Sequence, residues 1–267
     1  MLGPAANLVA FDIETVPDVA GGRRLLDLPD LDDHQVAEAM FNRQRVRSGS
    51  DFLRLHLQRV VAISIAMRRP DGQFRVWSVG TVESDERDLV ERFFEGIERY
   101  TPVLISWNGS GFDLPVLHYR SLLHGVVAPR YWETGEEDSG FRWNNYLNRF
   151  HWRHTDLMDV LAGYQGRATA PLDEIATLLG FPGKMGMDGS KVWSSFQAGD
   201  VKGIRDYCET DVLNTYLVYL RFELIRGRLT QSAYSAELES LSQTLANSGA
   251  THLTEFQQLL EARPPCV

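Results

Sequence analysis

The amino-acid sequence predicts an α/β domain built on a mixed sheet, and three observations carry that expectation. NLVAFDIE (7–14) is apolar and β-branched almost throughout, as a strand covered on both faces is. RVVAISIAMRR (59–69) and FRVWSVG (74–80) are strand-like runs joined through Pro70 and the turn pair Asp71-Gly72, which reads as a hairpin. Beyond the hairpin, helically spaced segments flank one short buried run, PVLISW (102–107), so some strands connect by a hairpin and others across a helix.

The elements follow in order. After the first strand, residues 17–50 turn polar, with LDDHQVAEAMFNRQRVR (31–47) as a short helix ahead of the hairpin. Ser84, with Asp85 and Glu86 behind it, starts a helix whose Leu89, Val90, Phe93, Phe94 and Ile97 recur at helical spacing. NGSGFD (108–113) is a loop, and LPVLHYRSLLHG (114–125) is a helix ending near Gly125. Residues 126–150, rich in aromatic, acidic and Asn side chains without a period, are expected as an exposed insertion. RHTDLMDVLAGY (153–164) reads as a short strand into a helix capped by Thr155 or Asp156. PLDEIATLLGF (171–181) is a helix, PGKMGMDGSKVW (182–193) a Gly-rich loop, and 200–226 one long helix closed by Gly227 in the left-handed conformation. Residues 230–263 form two amphipathic helices, broken at NSGA (247–250) and ended by Pro264-Pro265. The expected division is a main domain, 1–227, with a helical C-terminal extension, 228–267.

Composition narrows what such a domain does. The 267 residues are 43% hydrophobic, enough for a sizeable core. A formal net charge of −9 and a pI near 5.3 give no global positive field to hold duplex nucleic acid, so a phosphate-bearing ligand must be met by local arginines or bound cations. Two cysteines, Cys208 and Cys266, make no disulfide framework and suit a reducing cytoplasm. The N-terminus has no basic start ahead of its apolar run and does not resemble a secretory signal, so none is expected, and no apolar stretch reaches about 18 residues, which excludes a membrane-spanning helix.

Three acidic constellations carry the chemistry. Asp12 and Glu14, two residues apart at the end of a strand, point to one face of the sheet. Asp113 closes a loop at the start of a helix, where an acid also stabilises the helix dipole. Tyr207 and Asp211, four residues apart, share a face of the long helix close to an apolar stripe of Ile204, Cys208, Leu213 and Leu217. Singly, each has a plain structural explanation: acids at a strand end, a helix start, a solvated acid beside a packed tyrosine.

Taken in order, FDIET, NGSGFD and YCETD resemble the three motifs of the DnaQ-like 3′-5′ exonucleases, whose fold is ribonuclease-H-like. The tyrosine four positions before the last Asp resembles the DEDDy branch; the other branch carries a histidine five positions before it, where this sequence has Asp206. HTDLMDVL and GKMGMDGSKVW are also similar to stand-alone bacterial exonucleases resembling the proofreading domain of family B DNA polymerases. The resemblance spans residues 7–226 and implies a mixed central sheet flanked by helices, with Asp12, Glu14, Asp113 and Asp211 as metal ligands.

Physical chemistry is consistent with that implication. Carboxylates 4 Å apart repel by roughly 4 kcal/mol per pair at an effective dielectric near 20, so some must protonate or share a cation. Hard divalent ions suit oxygen ligands, and no His or Cys pair has zinc-like spacing. The resemblance implies two Mg2+ or Mn2+ ions, Asp12 bridging them, one also held by Glu14 and Asp211 and the other by Asp113, with Tyr207 orienting the attacking water. The implied substrate is the 3′ end of single-stranded DNA, in repair or end processing. An exoribonuclease of the same fold, or a nucleic-acid-binding module without chemistry, stands as the alternative.

Substrate contacts are less marked. Asn108 and Phe112 flank the loop before Asp113, Phe112 either stacking on the terminal base or anchoring its helix; Lys184 in the Gly-rich loop is placed to reach a phosphate. Arg43, Arg45, Arg47 and Arg54 form either a phosphate-contacting stretch or a solvated face. Asp156 and Asp159 read as capping and surface acids.

Overall fold

The computed structural model describes residues 6–262. Cys266 and the Pro264-Pro265 terminus lie outside the described residues. The chain starts as expected, with strand β1 (Leu8–Pro17), though it runs three residues beyond Glu14. A helix the sequence hid follows, α1 (Val19–Leu26), capped by Asp18, whose carboxylate accepts the Gly21 N–H at 3.0 Å. Two glycines in VAGGRRLL mask it by propensity; a Cβ at Gly22 would meet the flexible end of the Met40 side chain on α2 (Asp33–Ser48), so the glycine allows close packing of the two helices.

The hairpin is present as β2 (Gln58–Arg68) and β3 (Phe74–Ser78), followed by α3 (Glu86–Tyr100), β4 (Val103–Ser106) and α4 (Asp113–His124). Asp85, not Ser84, caps α3 by accepting the Asp88 N–H. The sheet order is β3-β2-β1-β4 with a fifth strand, β5 (His154–Asp156), beyond β4. β1 pairs antiparallel with β2 and parallel with β4, so the sheet is mixed.

The segment 126–150 is exposed along much of its length, with Trp143 82% and Phe150 63% exposed, but it is not exposed throughout. After a short α5 (Pro129–Trp132) its backbone is irregular, yet Tyr131, Phe141 and Tyr146 are buried against α3 and α4. Tyr131 and Tyr146 stack with centroids 5.5 Å apart, and the Tyr146 hydroxyl donates to the Pro102 carbonyl at 2.7 Å. Aromatic side chains on irregular backbone fill the core without any period, so patterning cannot reveal them.

β5 (His154–Asp156) runs parallel to β4 and leads into α6 (Leu157–Leu161), capped by Asp156 and not Thr155. Then come α7 (Leu172–Leu178), an unanticipated short α8 (Val192–Gln197) and the long α9 (Val201–Ile225), after which Gly227 takes φ 70°. Two further helices, α10 (Gln231–Ala246) and α11 (Thr251–Ala262), end the described chain.

The period-two alternation of β1 sorts the two faces of the sheet. Leu8 and Ala10 pack with Val212, Leu213, Tyr216 and Leu217 of α9, and Leu241, Leu245 and Phe256 of the last two helices join the same cluster. Val9, Phe11 and Ile13 pack instead with Leu89, Val90 and Phe93 of α3 and Leu117 of α4. Sequence pattern and structure agree on a ribonuclease-H-like α/β sheet flanked by helices, with helices added at its C-terminal end.

Candidate active site

The same alternation that sends Leu8 and Ala10 toward α9 sends Asp12 and Glu14 there too. Where the apolar run stops, β1 therefore presents two acids to the first turns of α9. Asp200 caps that helix by accepting the Gly203 N–H at 2.9 Å, which fixes its first turn, one turn ahead of Tyr207 and Cys208. Cys208 is fully buried, and its thiol donates to the main-chain carbonyl and to Oδ2 of Asp12, at 3.4 and 3.5 Å. Ligand atoms of Asp12, Glu14 and Cys208 all lie within 4.8 Å of one another. The Tyr207 hydroxyl and the Asp211 carboxylate lie close enough to shift each other's proton affinity, and Asp211 acts electrostatically on both Asp12 and Glu14.

Asp113 arrives from the other side of the sheet, through a loop held under tight constraint. Asn108 adopts φ 65° and its carbonyl accepts the N–H groups of Gly111 and Phe112. A Cβ on Gly109 would run into Ser106, whose hydroxyl is hydrogen-bonded to buried His154 at 2.8 Å. The clasp on this turn is Asp156, which is buried and accepts the Asn108 N–H at 2.9 Å and the Ser110 N–H at 2.8 Å. Asp113 then accepts the Ile13 N–H at 3.1 Å, so its carboxylate is tied to the backbone between Asp12 and Glu14.

Burial dominates the electrostatics. It pushes the Asp12 carboxyl well above the usual carboxylate range, with the charges of Asp113, Glu14 and Asp211 adding to it. Glu14 is raised likewise, by burial first and then by Asp211 and Asp113, against a pull from the Lys184 ammonium. Burial lifts Asp113 to about 7 and Asp211 to about 6, the latter opposed by the Tyr207 hydroxyl and by Lys184. Burial, then the charges of Asp211 and Glu14, hold the Tyr207 phenol above its ordinary range. Cys208 is pushed up too, chiefly by burial, so it remains a thiol and a donor.

This donor set fits hard divalent ions. Four crowded carboxylates at neutral pH lack compensating charge, with Lys184 the cation acting on Glu14 and Asp211, and the thiol beside Asp12 is protonated and not a competing soft ligand. A consequence is testable on the ion-free protein. Each acid whose folded pKa lies above its unfolded value binds its proton more tightly when folded, so it stabilises at low pH and loses that contribution as pH rises through the folded pKa. For Asp113 the window runs from 3.8 to about 7 and for Asp211 from 3.8 to about 6. In EDTA, Tm is expected to fall across that window; Mn2+ above it, at about 100 times its Kd, is expected to restore about 2.7 kcal/mol. A melting temperature that stays flat or climbs through the window would contradict the crowding of the four acids.

The structure brings Asp12 and Glu14 within ligand range of each other and sets Asp113, Tyr207 and Asp211 around them, Asp113 and Asp211 near enough for their charges to act on both. Lys184 is exposed, lines a cavity of about 110 Å³ with Asp173, Asp211 and Asn214, and faces the acids; its N–H donates to Asp173 at 2.7 Å. Asn108 is engaged by its backbone in the turn. Phe112 is half-buried, packed against the α3/α4 core, and its ring meets exposed Phe52 at 5.6 Å, so anchoring and an open edge are both present. Of the four arginines, Arg45 pairs with Glu38 and Asp51 on the surface, and none of the four acts on the acids. Two residues of the site have roles that the sequence conceals: Asp156, whose capping signature hides its grip on the 108–110 turn, and Cys208, which reads as one more apolar residue of its stripe.

Among the described residues, no helix is long and apolar enough to cross a membrane. Comparison with known proteins adds a family. The catalytic subunit of DNA polymerase epsilon from Saccharomyces cerevisiae is 28% identical over 148 residues, which are 52% of this chain and 6% of the length of that protein. A family model described as a predicted 3′-5′ exonuclease related to the exonuclease domain of PolB matches residues 50–260, a span that holds Asp113, Tyr207 and Asp211 and runs through α10 into α11. With most of its length inside that match, the chain belongs to the family of predicted 3′-5′ exonucleases related to the PolB exonuclease domain.

Proposed function

We propose that this protein is a divalent-metal-dependent 3′-5′ exonuclease that removes nucleoside monophosphates from single-stranded DNA ends, with residues 1–227 as catalytic unit and 228–267 as its helical extension. The observation that carries the reading is the tie from Asp113 to the Ile13 N–H, which joins the acid of the loop to the strand bearing Asp12 and Glu14. Asp12, Glu14, Asp113 and Asp211 hold two Mg2+ or Mn2+ ions. When bound, such ions activate water for attack on a phosphodiester and neutralise the leaving oxygen.

The chain's own groups do the rest. Tyr207, kept protonated by burial and neighbouring charge, positions the attacking water through its hydroxyl and takes no proton from it. Lys184, exposed at the mouth, meets the phosphate that leaves with the terminal nucleotide. Asn108 and Phe112 border the terminal sugar and base. Asp156 and Cys208 touch no substrate and hold Asp113 and Asp12 in place.

The test is incubation with 5′-labelled single-stranded DNA and Mn2+. The expected product is a ladder that shortens from the 3′ end and is abolished by EDTA. Absence of cleavage in every divalent ion would favour a binding module, and faster loss of matched RNA would move the substrate to RNA.

A further inference from the structure

We infer that the face of α4 leading away from Asp113 is a stacking track for the unpaired DNA strand 5′ of the terminal nucleotide; this rests on the exonuclease reading of the acidic site. Phe112 and Tyr119 are seven residues apart, two turns along one face of α4, beginning next to Asp113. Each meets an aromatic ring from the segment between α2 and β2. Phe52 faces Phe112 with centroids 5.6 Å apart, and His56 meets Tyr119 edge-on at 5.9 Å. Phe52 and His56 are themselves four residues apart, so two aromatic pairs stand as successive rungs.

Between the rungs lies an open groove of about 440 Å³, lined by Phe52, Arg54, His56 and Tyr119. Phe52 is 59% and Tyr119 48% exposed, a large aromatic area for solvent to cover without a ligand. The charge matches a polyanion. In a chain of net charge −9, Arg54 lines this groove and, like Arg43 and Arg47 nearby in sequence, makes no ion pair among the described residues, whereas Arg45 is paired with Glu38 and Asp51. Exposed rings that tolerate any base, a cationic edge and a start beside a catalytic acid are the components of a single-strand site. A duplex would hold its bases stacked inside and present none to these rings, so the occupant is a melted end.

Fluorescence anisotropy decides the inference. Labelled oligo(dT) with a cleavage-resistant phosphorothioate 3′ linkage, from about 4 to about 16 nucleotides, samples the site sizes common for single-strand binders. Phe52→Ala and Tyr119→Ala are each expected to weaken the longest oligonucleotide about 5- to 100-fold and the shortest far less. Arg54→Ala is expected to reduce the slope of log affinity against log salt by about 0.7. Unaltered affinity in both aromatic variants, or equal weakening at every length, overturns the track; tighter binding of matched RNA overturns the assignment to DNA. Hydrolysis of the p-nitrophenyl ester of thymidine 5′-monophosphate by the unmodified protein, which needs only the acidic centre, tests the exonuclease reading separately. Its failure would remove that reading while anisotropy still decides whether the rungs bind a strand.

Discussion

Asp113→Asn and Asp211→Asn are each expected to reduce kcat on single-stranded DNA by about 10³-fold or more, beyond the 10- to 100-fold cost of losing an outer-sphere partner. The ion-free variants are at the same time expected to melt at or above the unsubstituted protein at neutral pH and above. The amide is chosen because it separates charge from shape. Asn keeps an oxygen to accept the Ile13 N–H, so the link to β1 survives and the volume is unchanged. What disappears is a buried negative charge that raises the pKa of Asp12 and Glu14. Relief of that repulsion stabilises the apo fold, while loss of the ligand removes stabilisation by the ion. The pair of outcomes is therefore opposite in sign, and Mn2+ titrations followed by Tm should show a smaller upward shift in both variants. A variant that unfolds would show that the carboxylate serves the fold instead, and one that retains full activity would show that it holds no catalytic ion.

The legible part of this site and the hidden part differ in a physical way. Asp12 with Glu14 and Tyr207 with Asp211 are legible because a strand and a helix repeat with fixed periods, so spacing alone puts each pair on one face. Asp113 is legible as the acid at a loop-to-helix junction. Asp156 is not, because its grip on the Asn108 and Ser110 N–H groups joins residues nearly fifty positions apart through a turn no local rule describes. Cys208 looks identical to its apolar neighbours until β1 is laid against α9. The fold shows the same division: the sheet and the long helices follow from periodicity, whereas α1 is masked by Gly21 and Gly22, and the 126–150 segment buries Tyr131, Phe141 and Tyr146 on backbone with no repeat at all. Long-range contacts made by irregular chain are what a single sequence conceals.

The largest stability effect is expected at a cluster that the sequence also conceals, in which Glu86 reads only as an acid at a helix start. Arg120 of α4 is 4% exposed at its side chain and lies between two carboxylates as deeply buried. Its Nη1 donates to Asp18 at 2.7 Å and its Nε to Glu86 at 2.7 Å, with Nη2 completing a bidentate pair on Glu86. Glu86 also accepts the Val60 N–H of β2 and engages His124, while Asp18 caps α1, so one guanidinium ties α1, β2, α3 and α4 behind the acidic site. Arg120→Met leaves two buried carboxylates with no guanidinium between them, and a loss of about 3–5 kcal/mol is expected. At about 2–4 °C per kcal/mol for a protein of this size, Tm should fall by roughly 10 °C. The triple variant Asp18→Asn, Glu86→Gln, Arg120→Met removes the stranded charges along with the cation, so it should recover most of that loss, because the cost lies in the unpaired acids more than in the missing contacts. Recovery would identify the cluster as a device for orienting the elements around the site at little net gain in stability. If the triple variant melts no higher than Arg120→Met, the guanidinium acts mainly through packing, and the electrostatic account of this cluster is wrong.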